Sequence, residues 1–191
     1  VEMVAKRAST DPSADVQQAC ISAIALAHHH GMTDLVFATF EKALDNPHAV
    51  VRKEIADCVH WMPVDPRLSR IVEKLLSDSS QEVRRGMAWQ ACNMGEHPEL
   101  KELFVRAATQ DPDEEVRGDA LGGIDRFMPF PEALEFLRKR LQEDPTERTY
   151  WGAFNCVKFH DGESQRNEVL QVIAKGPFGR VAERAREELN G

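Results

Sequence analysis

The sequence predicts an all-α fold, an α-solenoid of about five to six antiparallel helix pairs. The first reason is a motif that recurs every 32 to 35 residues, in which Asp-Pro is followed by Val and then by apolar residues four and eight positions later. The second is helix-period apolar spacing between these motifs, and the third is the lack of sustained strand alternation. A repeat of this length cannot bury its own apolar face, so neighbouring units must stack. The anchor residues of the motif are Val16, Val51, Val83, Val116, Thr149 and Val181.

Each anchor lies near the start of the second helix of a pair. Asp or Asn stands five residues before most anchors and Pro four before, which predicts a capped helix start with Pro at the first helical position. Three copies add Gln or Glu at the spacing of a capping box: Asp78…Gln81, Asp111…Glu114 and Asp144…Glu147. We expect second helices near 12–27, 47–61, 79–94, 112–127, 145–159 and 177–189.

The buried face of the second helices is predicted by two apolar columns. All residues at four and eight positions after the anchors are apolar, so we expect both columns in the core. The first column holds Cys20, Ile55, Met87, Ala120, Ala153 and Ala185. The second holds Ile24, Val59, Ala91, Ile124, Val157 and Leu189.

The first helix of each pair has its own start signal, a proline about fifteen residues after the anchor. These prolines are Pro66, Pro98 and Pro131. We expect first helices near 33–44, 67–76, 98–109, 131–142 and 164–174. No linker is long enough to divide the chain, which predicts a single repeat domain over 1–191. Because Val1 to Arg7 has the character of a helix interior, we also expect further residues upstream.

Composition narrows the classes of partner and compartment. The net charge of −8 disfavours nucleic acid, since phosphate contacts need clustered Lys and Arg. No apolar run approaches the roughly 20 residues of a membrane span, and no signal peptide opens the chain. Cys20, Cys58, Cys92 and Cys156 form no CxxC pair, which favours buried thiols in a reducing cytosol. We therefore expect a cytoplasmic protein without membrane contact.

Catalytic and metal signals are weak. The sequence has no Gly-x-Ser-x-Gly, P-loop or GxGxxG motif, so it suggests no catalytic residue and no cofactor. His28, His29 and His30 are consecutive and their side chains point in different directions, which indicates a solvated helix end and not a metal site. Gly122 and Gly123 lie within a predicted helix, where a close helix contact is favoured over a phosphate-binding loop.

The repeats resemble the HEAT-like repeats of the short, phycobilin-lyase type over nearly the whole chain. The matching residues are Asn46…Val51-Arg52, Asp78…Val83-Arg84 and Asp111…Val116-Arg117. The pattern is lost at Thr149-Tyr150, and its Arg is lost at Val16-Gln17 and Val181-Ala182. The resemblance implies a hydrogen-bonded Asp–Arg ladder between repeats, in which Arg52, Arg84 and Arg117 are structural.

The same resemblance implies that the second helices line the concave side of a superhelix. Positions two and six after the anchors then face outward, and all three tryptophans lie on or beside this face. Trp61 and Phe159 stand at helix ends, where they either extend the surface or close the core. Exposed aromatic and Arg residues in one strip are typical of binding hot spots. The candidate partner-binding residues are Lys53, Asp57, Arg85, Trp89, Trp151 and Asn155.

Three functions are compatible with these observations. We favour a non-enzymatic protein-binding or scaffold module, for example a bacterial immunity or regulatory partner. A HEAT-like DNA glycosylase, or another DNA-binding repair protein, is an alternative. That reading needs a catalytic Asp, and Asp57 and Asp125 are candidates only by position, since Asn155 cannot supply the charge. A bilin lyase-like protein is suggested by the repeat type alone.

Overall fold

The computed structural model describes residues 1–160 and 164–190, and within them the chain is all-α with no strand. The described residues fall into two compact units, Val1–Gln90 and a second that begins at Ala91. The first unit contains α1 (Glu2–Thr10), α2 (Ala14–Ala25), α3 (Thr33–Ala43), α4 (Ala49–Cys58), α5 (Pro66–Leu76) and α6 (Gln81–Trp89). The second contains α7 (Lys101–Gln110), α8 (Glu114–Leu121), α9 (Phe130–Glu143), α10 (Glu147–Val157), α11 (Ser164–Ala174) and α12 (Gly179–Asn190). The predicted fold class is confirmed.

Each unit is a stack of helix pairs in two layers. In the first unit the second helices α2, α4 and α6 pack in sequence order, and so do the first helices α1, α3 and α5. In the second unit α10 contacts α8 and α12 in the same way, while α9 contacts α11. Packing between like helices of successive pairs is what a solenoid requires. The prediction of a single domain and of residues upstream of Val1 remains a prediction.

The core follows the two apolar columns. The anchors Val51, Val83, Val116, Thr149 and Val181 are fully buried, and the columns four and eight positions later are buried in the inner repeats. Val16 and Leu189, which lie in the first and last repeats, are only half-buried.

The helix starts differ from the prediction by two residues. Asp11, Asn46, Asp78 and Asp111 are not the capping residues; each accepts a hydrogen bond from the backbone N–H two residues later, at 2.8 to 3.0 Å. The motif is therefore an Asx turn before the helix, and Pro lies outside the first helical turn. The cap of α8 is Asp113, whose carboxylate accepts from Glu115 N–H at 2.8 Å. The expected capping boxes are consequently wrong.

The prolines of the first helices were predicted correctly. Pro66 is the first residue of α5, and Asp65 before it caps the helix by accepting from Arg67 N–H at 2.9 Å. Pro131 lies in the first turn of α9, and Pro98 opens a short 3₁₀ turn that leads into α7.

Several second helices end earlier than expected, in 3₁₀ turns. These turns cover Leu26–His30, Val59–Trp61, Gln90–Asn93 and Ile124–Arg126. After α8, a Cβ at Gly123 would lie 2.3 Å from the carbonyl carbon of Ala91 and 2.4 Å from the backbone nitrogen of Cys92. Only glycine fits so close to another backbone, which confirms that this glycine serves a close contact.

Charged side chains link successive repeats at the Asx turns. Arg52 donates to both carboxylate oxygens of Asp78, at 2.7 and 2.8 Å, and to the carbonyl of Asn46 at 2.5 Å. Arg117 repeats this arrangement with Asp144, at 2.7 and 3.3 Å, and with the carbonyl of Asp111 at 2.8 Å. We call each such link between repeats a rung. Bidentate charged hydrogen bonds of this kind are strong, so these arginines are structural as predicted.

Rungs also form where the motif departs from Arg and Asp. Gln17 takes the place of Arg; it donates to the carbonyl of Asp11 at 2.5 Å and accepts from the Asn46 amide at 2.6 Å. Tyr150 takes the place of another Arg, and its ring meets Phe178 edge-on at 5.1 Å. Gly176 stands where other repeats have Asp or Asn. A Cβ there would lie 2.2 Å from the ring of Tyr150, so glycine at this position leaves room for the ring.

None of the helices in the described part of the chain combines the length and apolar composition that a membrane span needs.

Candidate functional site

The outward side of the second helices in the first unit contains an exposed ion pair. Lys53 Nζ lies 2.6 Å from Asp57 Oδ2, one turn apart on α4, and both side chains are partly exposed. Gly86 of α6 lies beside this pair: a Cβ there would be 3.4 Å from Asp57 Oδ1 and 3.4 Å from Lys53 Cγ. Because glycine has no side chain, the pair is left uncovered by the neighbouring helix.

Two tryptophans border this ion pair along the chain. Trp89 follows Gly86 by one turn of α6 and is 51% exposed. Trp61 lies in the 3₁₀ turn after α4, is 41% exposed, and its ring is 4.9 Å from that of His60. Trp61 thus extends the surface and does not close the core. Arg85, the residue before Gly86, is also exposed.

In the second unit, α10 presents Trp151 and Asn155. Trp151 is half-buried, and its ring packs edge-on against buried Phe154 at a centroid distance of 5.8 Å. Asn155 is half-buried and accepts from Lys158 Nζ at 3.1 Å. Its Cβ is 3.8 Å from where a Cβ of Gly122 would stand, so the turn after α8 lies against it.

Other polar side chains join adjacent second helices and are occupied by these contacts. In the first unit, Glu54 accepts from Gln18 at 2.8 Å and from Ser22. In the second, Arg148 bridges Asp119 at 2.6 Å and Glu115 at 2.9 Å. These contacts fix the spacing of the helices, and the residues in them are less available to a ligand.

One cluster in the second unit was not predicted. Asp125 is largely buried; it accepts from His160 Nε2 at 2.9 Å and from the Cys156 thiol at 3.3 Å. The ring of Phe130 stacks on His160 at 3.7 Å. Burial, together with the charge of Asp125, raises the pKa of Cys156 well above its usual value, so this thiol stays protonated. The two residues of each contact lie 30 to 35 positions apart and outside the repeat columns, so no sequence signal joins them.

The acids considered for a glycosylase are both engaged. Asp57 is paired with Lys53, and Asp125 is held by His160 and Cys156. Neither is presented as a free carboxylate to the outward face. His28 to His30 form a 3₁₀ turn that ends at Gly31, and across residues 1–160 and 164–190 no group of three His, Cys, Asp or Glu residues could hold a metal ion.

The four cysteines differ in environment. Cys20, Cys58 and Cys156 are buried, as predicted, whereas Cys92 is exposed. Burial and the nearby carboxylates of Glu54 and Asp57 raise the pKa of Cys58 to about 12.

Comparison with known proteins agrees with this arrangement. Residues 68–156 match a family model described as HEAT repeats. The matched stretch begins in α5 and ends in α10, and it includes Trp89, Trp151 and Asn155. No curated protein matches the chain.

Proposed function

Because this chain is built from HEAT-like repeats, we propose that it is a non-enzymatic scaffold that binds a protein partner through the outward face of its second helices. The observation that supports this most directly is the half-exposed indole of Trp89, which follows Gly86 by one helical turn, while Gly86 adjoins the Lys53–Asp57 pair. Trp and Arg are the residues most enriched at the energetic centres of protein interfaces. The immunity or regulatory role expected from the sequence is one form of this function.

The first unit supplies the clearest binding surface. It comprises Trp89 and Arg85 on α6 and the Lys53–Asp57 pair on α4. An apolar ring next to charges of both signs can bury area in a partner while the charges set its orientation. A protein surface has this mixture of apolar and charged groups. A bilayer would need an apolar face, and a nucleic acid would need clustered cations.

In the second unit, Trp151 is less exposed than Trp89 is in the first. Trp151 offers only part of its ring because Phe154 and the helix cover the rest. Asn155 is half-buried and offers an amide with both donor and acceptor capacity. We assign Asn155 to orientation of a partner that contacts the second unit.

The test begins with a photo-crosslinking amino acid at position 61, which leaves Trp89 in place and identifies the partner that contacts this face. The purified partner is then titrated against the wild type and Trp89→Ala. Loss of a hot-spot tryptophan should weaken binding by about 10-fold or more.

The matched control is Val172→Ala on α11, since Val172 is an exposed apolar residue on a first helix. We expect this variant to bind like the wild type. Equal affinity of Trp89→Ala and the wild type for the crosslinked partner would refute the proposed surface.

A further inference from the structure

We draw no further inference here: the strongest candidate, the exposed apolar patch of Leu26, Trp61 and Val64 in the turns that follow α2 and α4 of the first unit, carries none because nothing in the structure shows what covers it.

Discussion

Gln17 and Asn46 are joined by a hydrogen bond of 2.6 Å at the place where other repeats carry Arg and Asp. The two substitutions are matched: the uncharged side chain on one repeat meets an uncharged amide on the next. Gln17 also keeps the second contact of the arginines, to the carbonyl six residues earlier. The link between repeats is thus conserved in geometry while its charge is removed.

Because Gln17 and Asn46 match each other, we expect charged substitutions at the two positions to have non-additive effects on stability. Gln17→Arg places a guanidinium against an amide, and Asn46→Asp places a carboxylate against the Gln17 oxygen. Each single change should lower the unfolding free energy by about 1–2 kcal/mol, because a buried charge then lacks its partner. The double variant should recover most of this loss, measured as the coupling energy in urea denaturation. Additive losses in the double variant would show that the two positions do not act as a pair.

Asp144 predicts a specific acid sensitivity. Its hydrogen bonds with Arg117, aided by the charge of Arg140, hold the pKa of this carboxyl below its ordinary value. The unfolded chain therefore takes up the proton first, so the unfolding free energy falls as pH drops from about 4 through the lower pKa of the folded state. Asp144→Asn should lower the unfolding free energy by about 1–3 kcal/mol at neutral pH, and it should make this free energy fall less steeply as the pH drops.

Asp45→Asn is the control for this measurement, since the Asp45 side chain is 78% exposed in its pair with Lys74. A surface pair of this kind contributes about 0–1 kcal/mol to the unfolding free energy, so its loss should leave the acid dependence of stability unchanged. Denaturation midpoints at neutral and acid pH provide the comparison. An Asp144→Asn profile parallel to that of the wild type would contradict the assignment.

The close approach at Gly123 predicts a steric penalty. Gly123→Ala would place a methyl group 2.3 Å from the backbone of Ala91, so the 122–126 turn must shift, at a cost of about 1–3 kcal/mol. Gly95→Ala is the matched change, because a Cβ there meets nothing within 4 Å. It should be neutral or stabilising by about 0.4–1 kcal/mol. Thermal unfolding of both variants compares them directly, and equal melting temperatures would be inconsistent with the contact.

Thiol reactivity should separate Cys92 from the other cysteines. In the folded protein at neutral pH, we expect an aromatic disulfide reagent to modify Cys92 first, because Cys20, Cys58 and Cys156 are buried. The pKa of Cys58, near 12, further suppresses its thiolate. Denaturant should release all four thiols of the chain. Cys92→Ser should abolish the fast phase, and a persisting fast phase would place another thiol at the surface.

Much of the fold could be predicted from the spacing of apolar residues, because a buried helix face requires apolar side chains at regular intervals along the sequence. The starts of the second helices could not, since Asp satisfies an Asx turn as well as a helix cap and local sequence does not distinguish them. The rungs were anticipated only by family resemblance. The positions two and six residues after the anchors predicted that Trp89 faces outward, and the structure shows it exposed. They could not reveal that Phe154 covers part of Trp151. The Asp125–His160 contact depends on tertiary packing of segments far apart in sequence.

The three kinds of rung have a consequence for how such a chain can grow. An amide pair, an Arg–Asp pair and a Tyr–Gly pair differ in charge and size, so exchanging one member alone leaves a mismatch. A helix pair copied to a rung of another kind would bring an Asp, Asn or Gly that does not match the side chain of the preceding repeat, whereas the Arg52–Asp78 and Arg117–Asp144 rungs are alike. The kind of rung therefore restricts where a repeat can be inserted, and lengthening the protein by design requires that the Asx-turn residue of an added repeat match the rung side chain of the preceding repeat.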